Sequence, residues 1–158
     1  MNNAKFPEGD PRNYVLREGH YRISVRLWEA SDLIPREANG TTDPFCVVTV
    51  GEVSKTTRAK KKTLSPLWDE TFNFEFPYLT KMDIETLRIS FEVRDRNLFI
   101  FDNHIGQYEI DISSIYFNQG HRFSKTWFTL FDKEEKLEGC MGFVKANIEV
   151  LGPGDEPT

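Results

Sequence analysis

Carboxylate and amide side chains are concentrated in two segments far apart in the chain. The segments are LIPREANGTTDPF (33–45) and RDRNLFIFDNHIG (94–106). Oxygens of this kind are hard ligands, and Ca²⁺ takes six to eight of them at about 2.3–2.6 Å. If the two segments meet in space, they can form a calcium site. Its candidate ligands are Glu37, Asp43, Asp95, Asn97, Asp102 and Asn103.

A simpler interpretation of these residues stays open. Asp and Asn are common in turns for backbone reasons alone, because their side chains hydrogen-bond to the main chain two residues on. Against that interpretation, several carboxylates gathered without a cation would repel one another. Spacing alone does not decide between a set of turns and a metal site.

Four apolar residues interrupt the second segment. A core strand running through this region would bury Asp95 and Asn97 inside the sheet or force them to its edge, which is costly. A projecting loop tip fits the pattern better, and exposed apolar clusters of this size mark interaction surfaces. Insertion into lipid would contribute up to roughly 1.5–3 kcal/mol per side chain. The alternative is that part of this set folds back onto the body of the domain. The four residues, the apolar tetrad, are Leu98, Phe99, Ile100 and Phe101.

A basic run, KTTRAKKK, covers residues 55–62 of an otherwise acidic protein. In a strand, Arg58, Lys60 and Lys62 would share a face, with Lys55 a little further away. Such a row can hold anionic lipid head groups at about 1 kcal/mol per charge. The open alternative is a solvated strand face, or a charged edge that prevents aggregation.

The sequence lacks the patterns of catalysis. His20, His104 and His121 have no Ser, Cys or carboxylate partner at a recognisable spacing, and two Cys with three scattered His form no zinc pattern. We therefore expect a non-enzymatic protein. Cys46 and Cys140 are too few for a disulfide framework, which favours a reducing, intracellular setting.

The elements that must position these residues alternate with period 2. In YRISVRLWEA, Tyr21, Ile23, Val25 and Leu27 share one face, as expected for a half-buried strand. Similar patterns predict strands in seven other stretches, and Pro77 is expected to end one of them. Residues 113–123 could form one turn of helix. Eight strands separated by turns indicate two packed antiparallel sheets, an all-β sandwich whose function lies in its end loops. The other stretches are DPFCVVTV, EVSKTTR, LWDETFNFEF, LRISFEVR, IGQYEIDI, TWFTLF and GFVKANIEV.

Length and composition predict a single folded module. The chain has 158 residues and a net charge of −5, so it should not bind nucleic acid as a whole. Its start lacks the layout of a secretory signal, and no 18 apolar residues run together. Both ends are rich in Pro, Gly and Asp, as linkers are. We expect an extension at 1–18, the domain at 19–151 and a linker at 152–158, all cut from a longer protein.

Three of these stretches, in this order and spacing, resemble a C2 domain. LIPREANGTTDPF resembles the first calcium loop of that family, TLSPLWDETFNF its Trp-containing signature, and VRDRNLFIFDNHIG its third loop. The later part of the chain, from IGQYEIDI to GFVKANIEVLGPGD, resembles the ferlins, multi-C2 proteins of vesicle fusion and membrane repair. The resemblance implies an eight-stranded antiparallel Greek-key β-sandwich.

The resemblance also implies a calcium site with reduced charge. The five acidic positions of the family fall on Glu37, Asp43, Asp95, Asn97 and Asn103, of which only two remain Asp. Asp102 is one residue out of register. Because two amides replace carboxylates, we expect calcium to bind weakly or not at all.

Lipid attachment would then depend on the apolar tetrad and the basic run. In the family the basic strand contacts phosphoinositides, which implies this role for Lys55, Arg58, Lys60 and Lys62. The expected partner is an anionic membrane containing phosphatidylserine or phosphoinositide, on the cytoplasmic face, for a domain whose parent protein can itself be membrane-anchored. The alternative is a protein–protein interaction module with a degenerate calcium site, whose apolar tip docks on a neighbouring domain of the parent protein or on another partner.

Overall fold

The computed structural model describes residues 7, 15–35, 42–96 and 103–157, which form two four-stranded sheets and two short helices. Helix α1 spans Lys81–Thr86 and α2 spans Ile112–Tyr116, and a 3₁₀ turn at Gln119–His121 follows α2. The strands are β1 (Gly19–Ser31), β2 (Pro44–Val50), β3 (Val53–Thr56), β4 (Leu67–Leu79), β5 (Arg88–Asp95), β6 (Asn103–Asp111), β7 (Arg122–Leu130) and β8 (Gly142–Leu151).

The sheets have the strand orders β4-β1-β8-β7 and β3-β2-β5-β6, and all pairs are antiparallel. The predicted eight-stranded β-sandwich is confirmed. Period-2 alternation sets the faces as expected, because Tyr21, Ile23, Val25 and Leu27 are fully buried between the sheets. None of the described helices is long and apolar enough to cross a membrane.

Two local expectations were wrong. Strand β4 does not stop at Pro77 but continues to Leu79, since β4 is an edge strand and the missing N–H of an exposed proline interrupts no ladder there. Helix α1 was not predicted. Thr80 and Asp83 form its capping box, in which Asp83 N–H donates to Thr80 Oγ1 (3.1 Å) and Thr80 N–H donates to Asp83 Oδ2 (2.9 Å).

One end of the sandwich, named here the loop end, gathers the connections β1–β2, β3–β4, β5–β6 and β7–β8. Pro44 pairs with Asp95 and Asp95 pairs with Asn103, so these residues are adjacent across three strands. In the other sheet Ser31 pairs with Phe143. The predicted candidate loops therefore lie at a common end.

The segment before β1 and the segment after β8 meet at the opposite end of the sandwich. The Arg17 guanidinium donates to Pro153 O (3.2 Å), and Gly152 N–H donates to Asp155 Oδ2 (2.8 Å). The Tyr21 hydroxyl donates to Arg17 O (2.5 Å), and Gly152 lies so close to the Tyr21 ring that a Cβ there would be 2.8 Å from it. Residues 152–155 are thus tied to the segment that precedes β1.

Candidate functional site

Asp43 and Asp95 are in direct contact at the loop end. The Asp43 N–H donates to Asp95 Oδ1 at 2.8 Å, and the Arg96 N–H returns a hydrogen bond to Asp43 O at 3.0 Å. Asp43 Oδ1 in turn accepts from the Lys62 N–H at 2.8 Å. Through these bonds the two carboxylates tie β5 to the β1–β2 and β3–β4 connections.

Two buried oxygens at this end have no hydrogen-bond partner among the described residues. They are Asp95 Oδ2 and Thr42 Oγ1, on side chains whose residues are only 3% and 2% exposed. A buried carboxylate oxygen without a partner loses its hydration and gains nothing in return, a cost of about 1–3 kcal/mol or more. A bound cation would remove that cost.

The described part of the site therefore fits a hard cation, but with few ligands. Asp95 Oδ2 is available, and Asn103 begins β6 directly opposite Asp95. The described ranges contain no cluster of three His, Cys, Asp or Glu side chains able to hold a metal. Glu37, Asn97, Asp102 and the apolar tetrad (Leu98, Phe99, Ile100 and Phe101) lie outside the described residues, so their proposed roles stay predictions.

The basic run is placed differently from the expectation. Strand β3 ends at Thr56, so Arg58, Lys60 and Lys62 do not share a strand face but lie in the β3–β4 connection. The backbone leaves the strand here because the Arg58 N–H donates to the Glu70 side chain (Oε2, 2.9 Å) of β4 instead of to a neighbouring strand's carbonyl. Lys62 adopts a left-handed φ of 50°, which turns the chain at the loop end.

Lys55 is the one residue of the predicted lipid-binding cations that lies inside β3, and its side chain is packed against β4. Its Nζ donates to Asn73 O on β4 at 2.5 Å and lies 5.2 Å from the centre of the Phe74 ring. Strands β3 and β4 belong to different sheets. Lys55 therefore bridges the two sheet edges, and its charge is less available to a lipid than the sequence suggested.

The remaining basic residues lie beside the carboxylates. Lys60 N–H donates to Pro44 O (3.0 Å), and Lys62 N–H binds Asp43 as described above. Arg58, Lys61 and Lys62 are exposed and Lys60 is half-buried. We name Arg58, Lys60, Lys61 and Lys62 the basic connection. It places four cations at the loop end of an acidic protein.

A second charged cluster was missed by sequence reasoning. Glu92 points out of β5 and is 9% exposed. Its Oε1 accepts from Arg94 Nε at 2.6 Å, and its Oε2 contacts His104 Nδ1 at 2.8 Å. The Lys133 N–H donates to His104 Nε2 (3.1 Å), so Nε2 carries no proton and Nδ1–H is the donor to Glu92.

These contacts keep Glu92 ionised. The hydrogen bond from His104, aided by the Arg94 guanidinium, lowers the pKa of Glu92 to about 2 although burial acts in the opposite direction. The partner of His104 has no recognisable spacing in the sequence because it comes from the neighbouring strand. His20 with Glu75 and His121 with Asp155 repeat the pattern at 2.6 and 3.7 Å.

The two cysteines differ in exposure, and only Cys46 belongs to the core. Cys46 is fully buried in β2 and Cys140 is exposed, and both are free thiols. Burial raises the pKa of the Cys46 thiol, which makes it unreactive.

A comparison with protein-family models shows which family the chain belongs to. The C2 domain model matches residues 21–130, more than half of the chain. This chain belongs to the C2 domain family. The fold and the resemblance read from the three loop and strand motifs are thereby confirmed.

Curated relatives of this C2 domain include ferlins. Ferlin 2 of Tetrahymena thermophila is 28% identical over 164 residues, covering 99% of this chain and 10% of that protein. Myoferlin of Xenopus tropicalis is 27% identical over 137 residues, covering 87% of this chain and 7% of that protein. The chain thus spans about a tenth or less of these relatives.

Among solved structures, the pair of C2 domains of extended-synaptotagmin 2, determined with calcium bound, resembles this C2 domain. The identity is 25% and the TM-score 0.63, and the match covers 84% of this chain and 45% of that one. The calcium in that structure belongs to that protein.

Proposed function

We propose that this C2 domain is a non-enzymatic membrane-targeting module that binds anionic phospholipid with weak or absent calcium dependence. The observation that carries the proposal is the basic connection, whose backbone is hydrogen-bonded to the Asp43 carboxylate and to Pro44. Cations and a sparse oxygen site thus lie side by side at one end, where a membrane surface can meet both.

Electrostatics supports attachment without calcium. Each lysine or arginine near an anionic membrane surface contributes about 1 kcal/mol. The basic connection supplies four such residues, whereas Lys55 is held between the sheets. The predicted second signal is insertion of the apolar tetrad, because one signal alone gives only marginal anchoring.

Calcium has a limited place in this proposal. Asp43, Asp95 and Asn103, with Glu37, Asn97 and Asp102 from the undescribed segments, would hold the ion. Bound calcium would add positive charge facing the lipid phosphates. Asp43 Oδ1 and Asp95 Oδ1 are already engaged by backbone N–H groups, and Asn97 and Asn103 bring no charge. We infer that affinity for calcium is low.

The same reasoning extends to the protein around this module. We propose that residues 19–151 form the domain, and that it belongs to a ferlin-like protein acting peripherally on the cytoplasmic face of a membrane. Support comes from the ferlin relatives, which are many times longer than this chain. Phosphatidylserine and phosphoinositides are the proposed lipids.

Vesicle flotation tests the proposal. The domain should float with vesicles of phosphatidylcholine and phosphatidylserine and not with phosphatidylcholine alone. Replacing Lys60 and Lys62 by Gln should weaken binding about fivefold for each lysine. Lys81→Gln, at the opposite end of the sandwich, is the matched control. Equal flotation with both vesicle types, or with all variants, would refute the electrostatic part.

A second pair of variants tests the apolar tetrad. Phe99→Ala with Phe101→Ala should reduce flotation. Tyr78→Ala with Met82→Ala removes apolar side chains that are 63% and 73% exposed near the other end, and should leave flotation unchanged. Indifference to the Phe substitutions would favour the protein-interaction alternative for this tip.

A further inference from the structure

Two tryptophans, each beside a lysine, lie on the outer face of the β4-β1-β8-β7 sheet. Trp28 sits at the register shift of β1, with Lys125 Nζ 5.6 Å from its ring centre. Trp127 on β7 pairs with Lys145 on β8, whose Nζ is 5.6 Å from the Trp127 ring centre. Trp127 is 45% exposed.

Asn147 holds this arrangement together. Its Oδ1 accepts from Trp28 Nε1 at 3.0 Å and from the Lys125 N–H at 2.6 Å. The indole N–H of Trp28 is therefore satisfied within the domain, and its ring is half-buried, so Trp127 presents the more exposed ring of this face. We name Trp28, Lys125, Trp127, Lys145 and Asn147 the tryptophan strip.

The strip carries unneutralised positive charge. Arg26 also stacks on Trp28, with its Cζ 3.6 Å from the ring centre, but its Nε is paired with Asp69 Oδ1 at 3.0 Å. Lys125 and Lys145, in contrast, make no ion pair with any acidic side chain in the described ranges, and Glu29, which is opposite Lys145 on β1, does not reach it. Their charges remain available to an anionic partner.

The strip continues to the loop end as apolar surface. Trp127 pairs with Lys145, and Phe143, two residues closer to the loop end on β8, pairs with Ser31 and Thr129. Beyond it, the Ile34 N–H donates to Met141 O (3.1 Å), and Ile34 is 41% exposed. Phe131 and Leu137, on the β7–β8 connection, are also exposed but lie toward the other sheet, since Phe131 bridges Gln107 of β6 and Leu137 lines a recess with Asn103 and His104, so they are not part of this face.

We propose that this face is a second contact with an anionic phospholipid surface, so that the domain docks tilted and places Trp28 and Trp127 at the membrane interface. The proposal rests on the membrane-binding function proposed above and adds the orientation. Tryptophan and lysine together suit an interface that is apolar on one side and anionic on the other.

The shape of the face favours a membrane over an acidic peptide. The recess beside Trp127 is open and is lined only by Ser31, Asp32, Trp127 and Phe143 in the described structure. A second recess on this face, beside Asn147, is bounded by Arg26, Arg122 and Glu149 among others, and this mixture of charges of both signs does not match an acidic peptide. The contact area is instead the broad outer surface of a sheet, continuous with the loop end.

Quenching by brominated phosphatidylcholine tests the orientation. The protein contains three tryptophans, and the third, Trp68, is only 5% exposed but lies at the loop end, where its Nε1 donates to Pro44 O (3.3 Å), so its emission reports loop-end docking alone. In vesicles that also contain phosphatidylserine, Trp28 and Trp127 emission should be quenched. The Trp28→Phe, Trp127→Phe double variant should keep only the quenching of Trp68, and each single variant should fall between that level and the wild type.

Two lysine substitutions supply a readout that needs no tryptophan change. Lys125→Gln and Lys145→Gln should each weaken vesicle binding about fivefold, with Lys81→Gln as the matched control. Flotation without quenching, and without an effect of these lysines, would overturn the tilted orientation but not the proposed membrane-binding function. In that case the tryptophan strip would be a surface for binding a protein. No flotation with any anionic vesicle would overturn both.

Discussion

Glu92 and Asp95 lie three residues apart on β5, and both are nearly buried, yet their surroundings differ. Both oxygens of Glu92 are engaged by side chains, Oε1 by Arg94 and Oε2 by His104. Asp95 has one oxygen on the Asp43 N–H and a second, Oδ2, without a partner among the described residues. Glu92 is exposed by 9% and Asp95 by 3%.

The difference separates a structural carboxylate from a candidate ligand. Glu92 is neutralised inside the domain, so its charge stabilises the fold and has nothing left to offer a ligand. Asp95 is positioned by the backbone but not neutralised by it, so its charge destabilises the empty fold and favours a cation. Burial alone would not have distinguished them.

The largest expected effect is on stability at Glu92. Glu92→Gln removes the charge that Arg94 and His104 hydrogen-bond, and should lower the free energy of unfolding by about 2 kcal/mol, since hydrogen bonds to charged groups contribute about 1.5–3 kcal/mol. Urea unfolding measures it. Glu109→Gln is the control, because Glu109 makes an exposed pair with Arg88 and should cost less than about 1 kcal/mol. Equal losses would contradict the comparison.

The same residue should give a defined pH dependence. The pKa of Glu92 is lowered from an ordinary 4.5 to about 2 in the folded chain. Its contribution to stability is therefore complete above pH 4.5 and is lost as the pH falls towards 2. The difference in unfolding free energy between the wild type and Glu92→Gln should shrink across that window. A constant difference would show that the charge of Glu92 is not what stabilises the cluster.

Asp95→Asn should have a smaller effect on stability and a clear one on calcium. The Asn carbonyl can still accept from the Asp43 N–H, and loss of the uncompensated charge is offset by a buried NH2 without an acceptor in the place of Oδ2, so we expect a change in unfolding free energy below about 1 kcal/mol. In calorimetric titration, any heat seen with the wild type at high calcium should vanish in Asp95→Asn and persist in Glu92→Gln. Loss of the heat in both variants would contradict the distinction between Asp95 as a calcium ligand and Glu92 as a structural carboxylate.

The smallest effect is expected at Thr42. Its hydroxyl is buried without a partner in the described structure, so Thr42→Val should leave the free energy of unfolding unchanged or raise it by up to about 1 kcal/mol. Thermal unfolding measures the change. The control is Thr57→Val, since the buried Thr57 Oγ1 accepts from the Cys46 N–H at 2.9 Å and its removal should destabilise. Destabilisation of similar size at both positions would show that Thr42 has a partner.

The features that could be predicted from the sequence are those that depend on the alternation of apolar and polar residues and on turn-forming residues. The strand faces were predictable because inward and outward residues alternate, as at Tyr21 to Leu27. The meeting of Asp43 and Asp95 followed from placing the loops at one end of a sandwich. The extent of β4 through Pro77 was not predictable, because it depends on β4 being an edge strand.

Contacts between strands were the main source of error at the site. The Glu92–His104 pair depends on the register of β5 and β6, which spacing along the chain does not reveal. Lys55 was counted among free cations because its partner, the Asn73 carbonyl, belongs to the other sheet. The tryptophan strip joins β1, β7 and β8 in the same way.

The most direct test of the account compares vesicle flotation in excess chelator with flotation in calcium, using phosphatidylserine-containing vesicles. Because the basic connection carries its own positive charge and the oxygen site is sparse, the bound fraction should be substantial in chelator and rise only slightly with calcium. Binding that is absent in chelator and appears at micromolar calcium would contradict the account.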